Sequence, residues 1–189
     1  MMSKTKRSIF EAAIKVFSKN GYDGATMDDM AQEAGVAKGT LYYHFKSKEE
    51  IFKYIIEEGM ELIKEQLQIA AEKESNSLAK LKALCIVQLK LVYEKKDFFK
   101  VVMSQLWGQE MRQSELREVI QNYICNLEKY IKQAIEDGLV KKGEPYFMAY
   151  TFFGALCSAA IYELINKDKS NIDDISDSLM QYILHGIQA

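Results

Sequence analysis

The stretch GVAKGTLYYHFKSKEE, residues Gly35 to Glu50, sets three aromatic rings, a histidine and three lysines in a run too short to form a core of its own. Its spacing predicts a short helix over 37–44. Val36 and Leu41 take the N′ and N4 positions of a hydrophobic staple, which fixes the angle at which the chain enters that helix. Leu41 and Phe45 suffice to seat it on its neighbours. Lys38, Thr40, Tyr42, Tyr43 and His44 then fall on the remaining faces, and placing two tyrosines beside a histidine in solvent forgoes burial unless a partner covers them.

Upstream of this segment, Ile9, Ala13, Val16 and Phe17 form an apolar stripe that predicts a helix over 4–19, closed by Gly21. YDGAT reads as a turn. Thr26 then begins a second helix as its N-cap, with Asp29 at N3 in a capping-box-like arrangement, Met27, Met30, Ala31 and Ala34 on its buried face and Gly35 at its end. Two helices joined by a tight glycine-containing turn are the helix-turn-helix layout. Downstream, Ser47 with Glu50 reads as a capping box for a fourth helix running from Lys48 past Leu67 into the seventies.

A helix of about eight residues is roughly 12 Å long and ~10 Å across, which fits a B-DNA major groove about 12 Å wide. The residue types suit that groove. Gly39 lets the backbone approach closely, Thr40 bonds a base or touches a thymine methyl, Lys38 donates to guanine, and tyrosine and histidine donate to phosphate oxygens. Thr26 and Lys48 mark anion-attracting helix starts on either side. A second reading stays open, in which the Tyr-Tyr-His cluster packs on a neighbouring helix, Thr26 and Ser47 are caps alone, and Lys46 and Lys48 are solvated.

The whole chain has 189 residues, 48% of them hydrophobic, with one proline and ten glycines. That is enough apolar material for a sizeable core, and three-to-four spacing of apolar residues nearly throughout predicts an all-α chain of about nine helices. After the polar break EKESNS, further helices are expected over 78–94, 97–107, 114–137, 145–166 and 173–185, with Pro145 at an N1 position. The formal charge is −2: residues 1–50 carry eight Lys and Arg against seven Asp and Glu, and residues 51–189 carry 17 against 20. So weak an asymmetry leaves the placement of charges, not their sum, to argue for a nucleic-acid partner.

Cys85, Cys125 and Cys157 lie far apart in apolar stretches with no C-x-x-C pair, which reads as free thiols in a reducing compartment. Lys4, Lys6 and Arg7 are followed by no uninterrupted apolar stretch, so no secretory signal is expected. No apolar run approaches the ~20 residues of a membrane span, and a membrane partner is not expected. Two histidines, no nucleophile motif, no Gly-rich phosphate loop and no carboxylate-histidine metal spacing argue against an enzyme, a metal site or a cofactor.

Two further patterns remain open between packing and function. Tyr93, Phe99, Met103, Trp107 and Tyr123 form either bundle core or the lining of a site for an apolar ligand needing a few polar contacts. Gly154, Ala155, Ser158 and Ala159 give one helix a small-residue face, and Ile175, Leu179 and Tyr182 give the last helix an apolar one. Either stripe serves internal packing; together they fit a four-helix dimer interface that presents two reading helices about 34 to 36 Å apart to a palindromic site.

Residues 4–56, including AAIKVFSKNGYDGATMDDMAQEAGVAKGTLYYHFKSKEEIF, resemble the N-terminal DNA-binding domain of the TetR family of bacterial transcriptional regulators. The resemblance implies Thr26 and Lys48 at phosphates, Lys38, Gly39 and Thr40 at base edges, and Tyr42, Tyr43 and His44 at bases and backbone. It implies a helix-turn-helix domain over 1–50, joined by the fourth helix to an effector-binding and dimerisation domain over 51–189. The function it implies is that of a cytoplasmic, homodimeric, ligand-responsive regulator, usually a repressor, released from its operator by a small and largely apolar effector. A helical small-molecule carrier or adaptor that binds no operator is the alternative.

Overall fold

The computed structural model describes residues 3–165 and 172–186. These form nine helices: α1 (Lys4–Gly24), α2 (Met27–Glu33), α3 (Lys38–His44), α4 (Lys48–Glu72), α5 (Ser77–Glu94), α6 (Lys96–Ser104), α7 (Met111–Glu136), α8 (Pro145–Ile165) and α9 (Ile172–His185). The expected C-terminal end of the eighth helix at Asn166 lies outside the described residues. No described helix is long and apolar enough to cross a membrane.

The chain divides into two compact units that do not follow a boundary at residue 50. One combines residues 1–61 with 95–119, and the other combines 62–94 with 120–189.

In the first unit, α1 packs against both α2 and α6, and α2 packs against α3. Ile9, Ala13, Met30, Leu41, Ile51 and Ile55 have no exposed surface, each contributing about 1 to 3 kcal/mol of burial according to its size. Phe17 stacks on Tyr22 at 5.4 Å between centroids, and Phe52 meets both rings edge-on at 5.8 and 5.4 Å. This cluster explains why α1 runs past its expected end at Lys19. Gly21 takes up a sharp bend at φ 71°, ψ 172°, open to glycine at little cost, and helical turn resumes beyond it so that Tyr22 returns to the core.

Helix α6 is keyed onto α1 and α4 by shape and polarity together. The Ser18 hydroxyl donates to Asp97 Oδ1 at 2.7 Å, while Lys100 Nζ donates to the Ser18 carbonyl at 2.5 Å. The Phe98 ring occupies the space that a Cβ on Gly59 would need. The helix stops at Ser104 instead of continuing to Trp107, and α7 begins at Met111, three residues ahead of Ser114, where the Gln113 side chain accepts the Glu110 N–H at 2.9 Å.

In the second unit, α5 packs on α8 and α9, which also pack on each other. Leu84, Ile124, Leu127, Phe152, Leu156 and Met180 are all buried there.

Candidate nucleic-acid interface

Helix α3 is held from behind as its sequence predicts. Leu41 is fully buried and Phe45, its C-cap, is 3% exposed. On the outer side Tyr43 is 79% exposed and Tyr42 39%, Lys38 and Gly39 are exposed, and Thr40 and His44 are half-buried. The Tyr43 and His44 rings meet edge-to-face at 5.2 Å, which gives the exposed pair a preferred orientation. A Cβ on Gly39 would meet nothing within 4 Å. Internal packing therefore gives no reason for a glycine that costs the helix about 1 kcal/mol relative to alanine, whereas close approach of an external backbone or base does.

Three side chains around this face are bonded within the protein, Thr26 in the capping box its sequence predicts and Lys38 and Lys48 in pairings the sequence left unassigned. Lys38 Nζ pairs with the Asp28 carboxylate of α2 at 2.8 Å, a contact that raises the lysine pKa and ties the two helices of the motif. Thr26 is exposed and caps α2 reciprocally: its hydroxyl accepts the Asp29 N–H at 3.1 Å and donates to Asp29 Oδ2 at 2.7 Å. Lys48 Nζ donates to the Tyr22 and Asp23 carbonyls at 3.1 and 3.3 Å and lies 4.7 Å from the Tyr22 ring centre, so it joins the end of α1 to the start of α4.

The capping box at α4 is only half formed. Ser47 accepts the Glu50 N–H at 3.3 Å, but the Glu50 carboxylate reaches one residue further back, accepting the Lys46 N–H at 2.7 Å. The neighbouring Glu49 accepts from the Tyr22 hydroxyl at 2.9 Å. Its own backbone N–H, then the Ser47 and Tyr22 hydroxyls, hold its carboxyl below the usual range. Sequence reasoning missed Tyr22, which it placed in a turn, and Arg112 at the start of α7, whose guanidinium lies 3.9 Å from the Tyr22 ring centre.

The residues singled out for an effector fall in both units. Phe99, Met103 and Trp107 belong to the first unit, and Tyr93 and Tyr123 to the second. Trp107 is 84% exposed on the loop after α6 and Tyr93 is 62% exposed, so neither is bundle core. Phe99 and Met103 are half-buried. Tyr123 is buried, its ring 5.7 Å from Phe153.

The dimer residues divide similarly. Gly154 and Ser158 are exposed on α8, Ala155 is half-buried, and Ala159 turns into its own unit at 8% exposure. On α9, Ile175 and Leu179 are half-buried and Tyr182 is 57% exposed. The exposed line on α8 is longer than the sequence suggested. Phe147, Thr151, Gly154, Ser158, Ile161 and Ile165 follow one another at alternating steps of four and three, the spacing of a helix-pairing seam.

Comparison with known proteins places this geometry. Residues 9–55, which contain α2, the turn and α3, match the family model of the bacterial regulatory proteins, tetR family. A solved structure from Clostridium perfringens, described as a fatty acid metabolism regulator, is 45% identical with a TM-score of 0.90, covering 96% of this chain and 99% of that one. The chain belongs to the TetR family. It is a DNA-binding transcriptional regulator, and α2 and α3 are its helix-turn-helix.

Two other TetR-like relatives extend the comparison along the full chain. The fatty acid metabolism regulator protein of Bacillus subtilis is 27% identical over 186 residues, covering 95% of this chain and 93% of its own length. The crystal structure of Bacillus subtilis FadR in complex with stearoyl-CoA has the same fold, with a TM-score of 0.87 and 22% identity over 96% of this chain and 99% of that one. These relatives are regulators, not enzymes.

Proposed function

We propose that this TetR-family protein is a cytoplasmic, homodimeric repressor without catalytic activity, released from a palindromic operator by a long-chain acyl-CoA. Residues 1–50 do the reading and residues within 51–189 bind effector and partner. The observation that carries the DNA half is the exposed flank of α3 above the buried Leu41 and Phe45. Lys38, Gly39, Thr40, Tyr42, Tyr43 and His44 lie toward the bases, with Thr26 and Lys48 at the two sides. The likeness to fatty acid metabolism regulators, one of them bound to stearoyl-CoA, supports the effector class.

The seam on α8 supports a two-fold pairing with the exposed Tyr182 side of α9, in which Gly154 and Ser158 let the helices approach closely. Of the residues expected to meet effector, Tyr123 fits best, because it is buried within the unit that holds α5, α8 and α9.

The test is fluorescence anisotropy with duplexes selected from random sequence by the full-length protein. Selected sites should be palindromic, affinity should fall steeply with salt, and micromolar palmitoyl-CoA should release the duplex. Binding that ignores salt and sequence would return the protein to the carrier or adaptor class.

A further inference from the structure

The second unit buries a side-chain amide nitrogen that no described residue satisfies. Gln88 sits midway along α5, 6% exposed, and its Nε2 has no hydrogen-bond partner among the described residues. The amide lies beside the Tyr123 hydroxyl, near enough to favour the ionised phenol slightly, without reaching the geometry of an ordinary hydrogen bond. A nitrogen with two N–H donors and no acceptor is a standing cost, and a leucine of similar size would pack here without it.

The surroundings define what acceptor this nitrogen fits. Along α5 its neighbours Leu84, Cys85, Leu89 and Val92 are buried and apolar. The other buried polar residues of the unit are Ser77, at the start of the same helix, and Ser176, whose hydroxyl points to Cys85 Sγ at 3.8 Å. No lysine, arginine or histidine of the unit is buried among the described residues. Burial holds the Tyr123 hydroxyl protonated well beyond the ordinary phenol range, and it pushes the Cys85 and Cys157 thiols up to about 11. All three groups are therefore neutral at physiological pH. A carboxylate brought here would lose its hydration and meet no cation, which is prohibitive, whereas a neutral carbonyl oxygen needs only the donor that is already waiting.

We infer that Gln88 receives the neutral carbonyl oxygen of a fatty-acyl ester or thioester, and that it lets the protein tell an acyl thioester from both a free fatty acid and a chain of equal length lacking the carbonyl. This rests on the acyl-CoA reading above and assigns its specificity to one residue. Gln88 positions the ligand and discriminates among ligands; the length of the chain is measured elsewhere.

The experiment is calorimetric titration of the full-length protein and of Gln88→Leu with palmitoyl-CoA, S-hexadecyl-CoA, palmitate and methyl palmitate. Wild type should bind palmitoyl-CoA about five- to tenfold more tightly than the thioether, the worth of one neutral hydrogen bond, and should bind palmitate more weakly than methyl palmitate. Gln88→Leu should lose that factor for the two carbonyl ligands alone, keep its thioether affinity, and melt at or above the wild-type temperature. Equal losses for thioester and thioether, or a thioester preference that survives the substitution, overturn the inference. If palmitoyl-CoA fails to bind wild type while methyl palmitate binds in a Gln88-dependent way, the acyl-CoA reading fails and the role of Gln88 stands; if neither ester binds, both fail.

Discussion

The Arg112 guanidinium lies 3.9 Å from the centre of the Tyr22 ring, bringing the first turn of α7 onto the end of α1. The arginine side chain is only 13% exposed and also hydrogen-bonds Gln105 at 3.3 Å. A largely desolvated cation over an aromatic face contributes up to about 2 kcal/mol. Arg112→Leu should therefore lower the unfolding free energy by about 1 to 2 kcal/mol, with Arg112→Lys in between. Urea denaturation measures this, and an unchanged midpoint would remove the contact from the stability of the unit.

Gly39→Ala should move stability and binding in opposite directions. A Cβ there meets no other atom of the protein, so the helix gains about 0.5 to 1 kcal/mol of propensity. The same methyl intrudes where a duplex would lie, and operator affinity should fall about tenfold or more, the scale of one lost base contact. Thermal melting and anisotropy on one preparation decide it.

Gly59→Ala sets propensity against packing. Alanine favours the helix by about 1 kcal/mol, yet its Cβ would fall on the Phe98 ring and displace α6, at a typical cost of 1 to about 3 kcal/mol. Net destabilisation is expected, and the double variant Gly59→Ala with Phe98→Leu should recover part of it. A more stable single variant would show that α6 yields freely.

Lys48 separates two roles by salt. Its ammonium bonds the Tyr22 and Asp23 carbonyls in the free protein, so Lys48→Ala should cost about 1 kcal/mol of stability, and as a phosphate contact its loss should shrink the salt slope of operator affinity by about 0.9. An unchanged slope would mean that the ammonium stays on those carbonyls and serves the fold alone.

Alkaline pH should destabilise the protein through its buried thiols. Below about pH 9 the thiols are protonated in both folded and unfolded chains, so Cys85 and Cys157 contribute fully. Between about 9 and about 11 the unfolded chain ionises them first, and stability falls through that window. Native Cys85 should resist iodoacetamide at pH 8 and react only as the chain unfolds. Rapid modification of the folded protein would show that the thiol is neither buried nor held neutral.

The local signals of the helix-turn-helix were legible because they are short in range. Thr26 with Asp29, Val36 with Leu41, and the glycine at 35 sit within a turn or two of one another and announce caps, staple and break directly. Side-chain pairings across elements were not: nothing near Lys38 distinguishes a base contact from a bond to Asp28, and nothing near Tyr22 points to Arg112. The effector residues were chosen by residue type alone, which cannot separate an aromatic facing water, such as Trp107, from one facing the interior, such as Tyr123. Gln88 escaped notice for the same reason, since a lone amide in an apolar run reads as a surface position until the fold packs that face of the helix.

The discontinuous first unit limits how the protein can be cut and recombined. A fragment ending near residue 50 or 61 would leave Ser18 without Asp97 and Lys100, and one ending near 61 would also uncover the shallow seat on Gly59 that the Phe98 ring fills. Chimeras that transplant only the amino-terminal segment onto another regulator's body must import a matching sixth helix, or inherit a bare, sticky flank where that helix belongs.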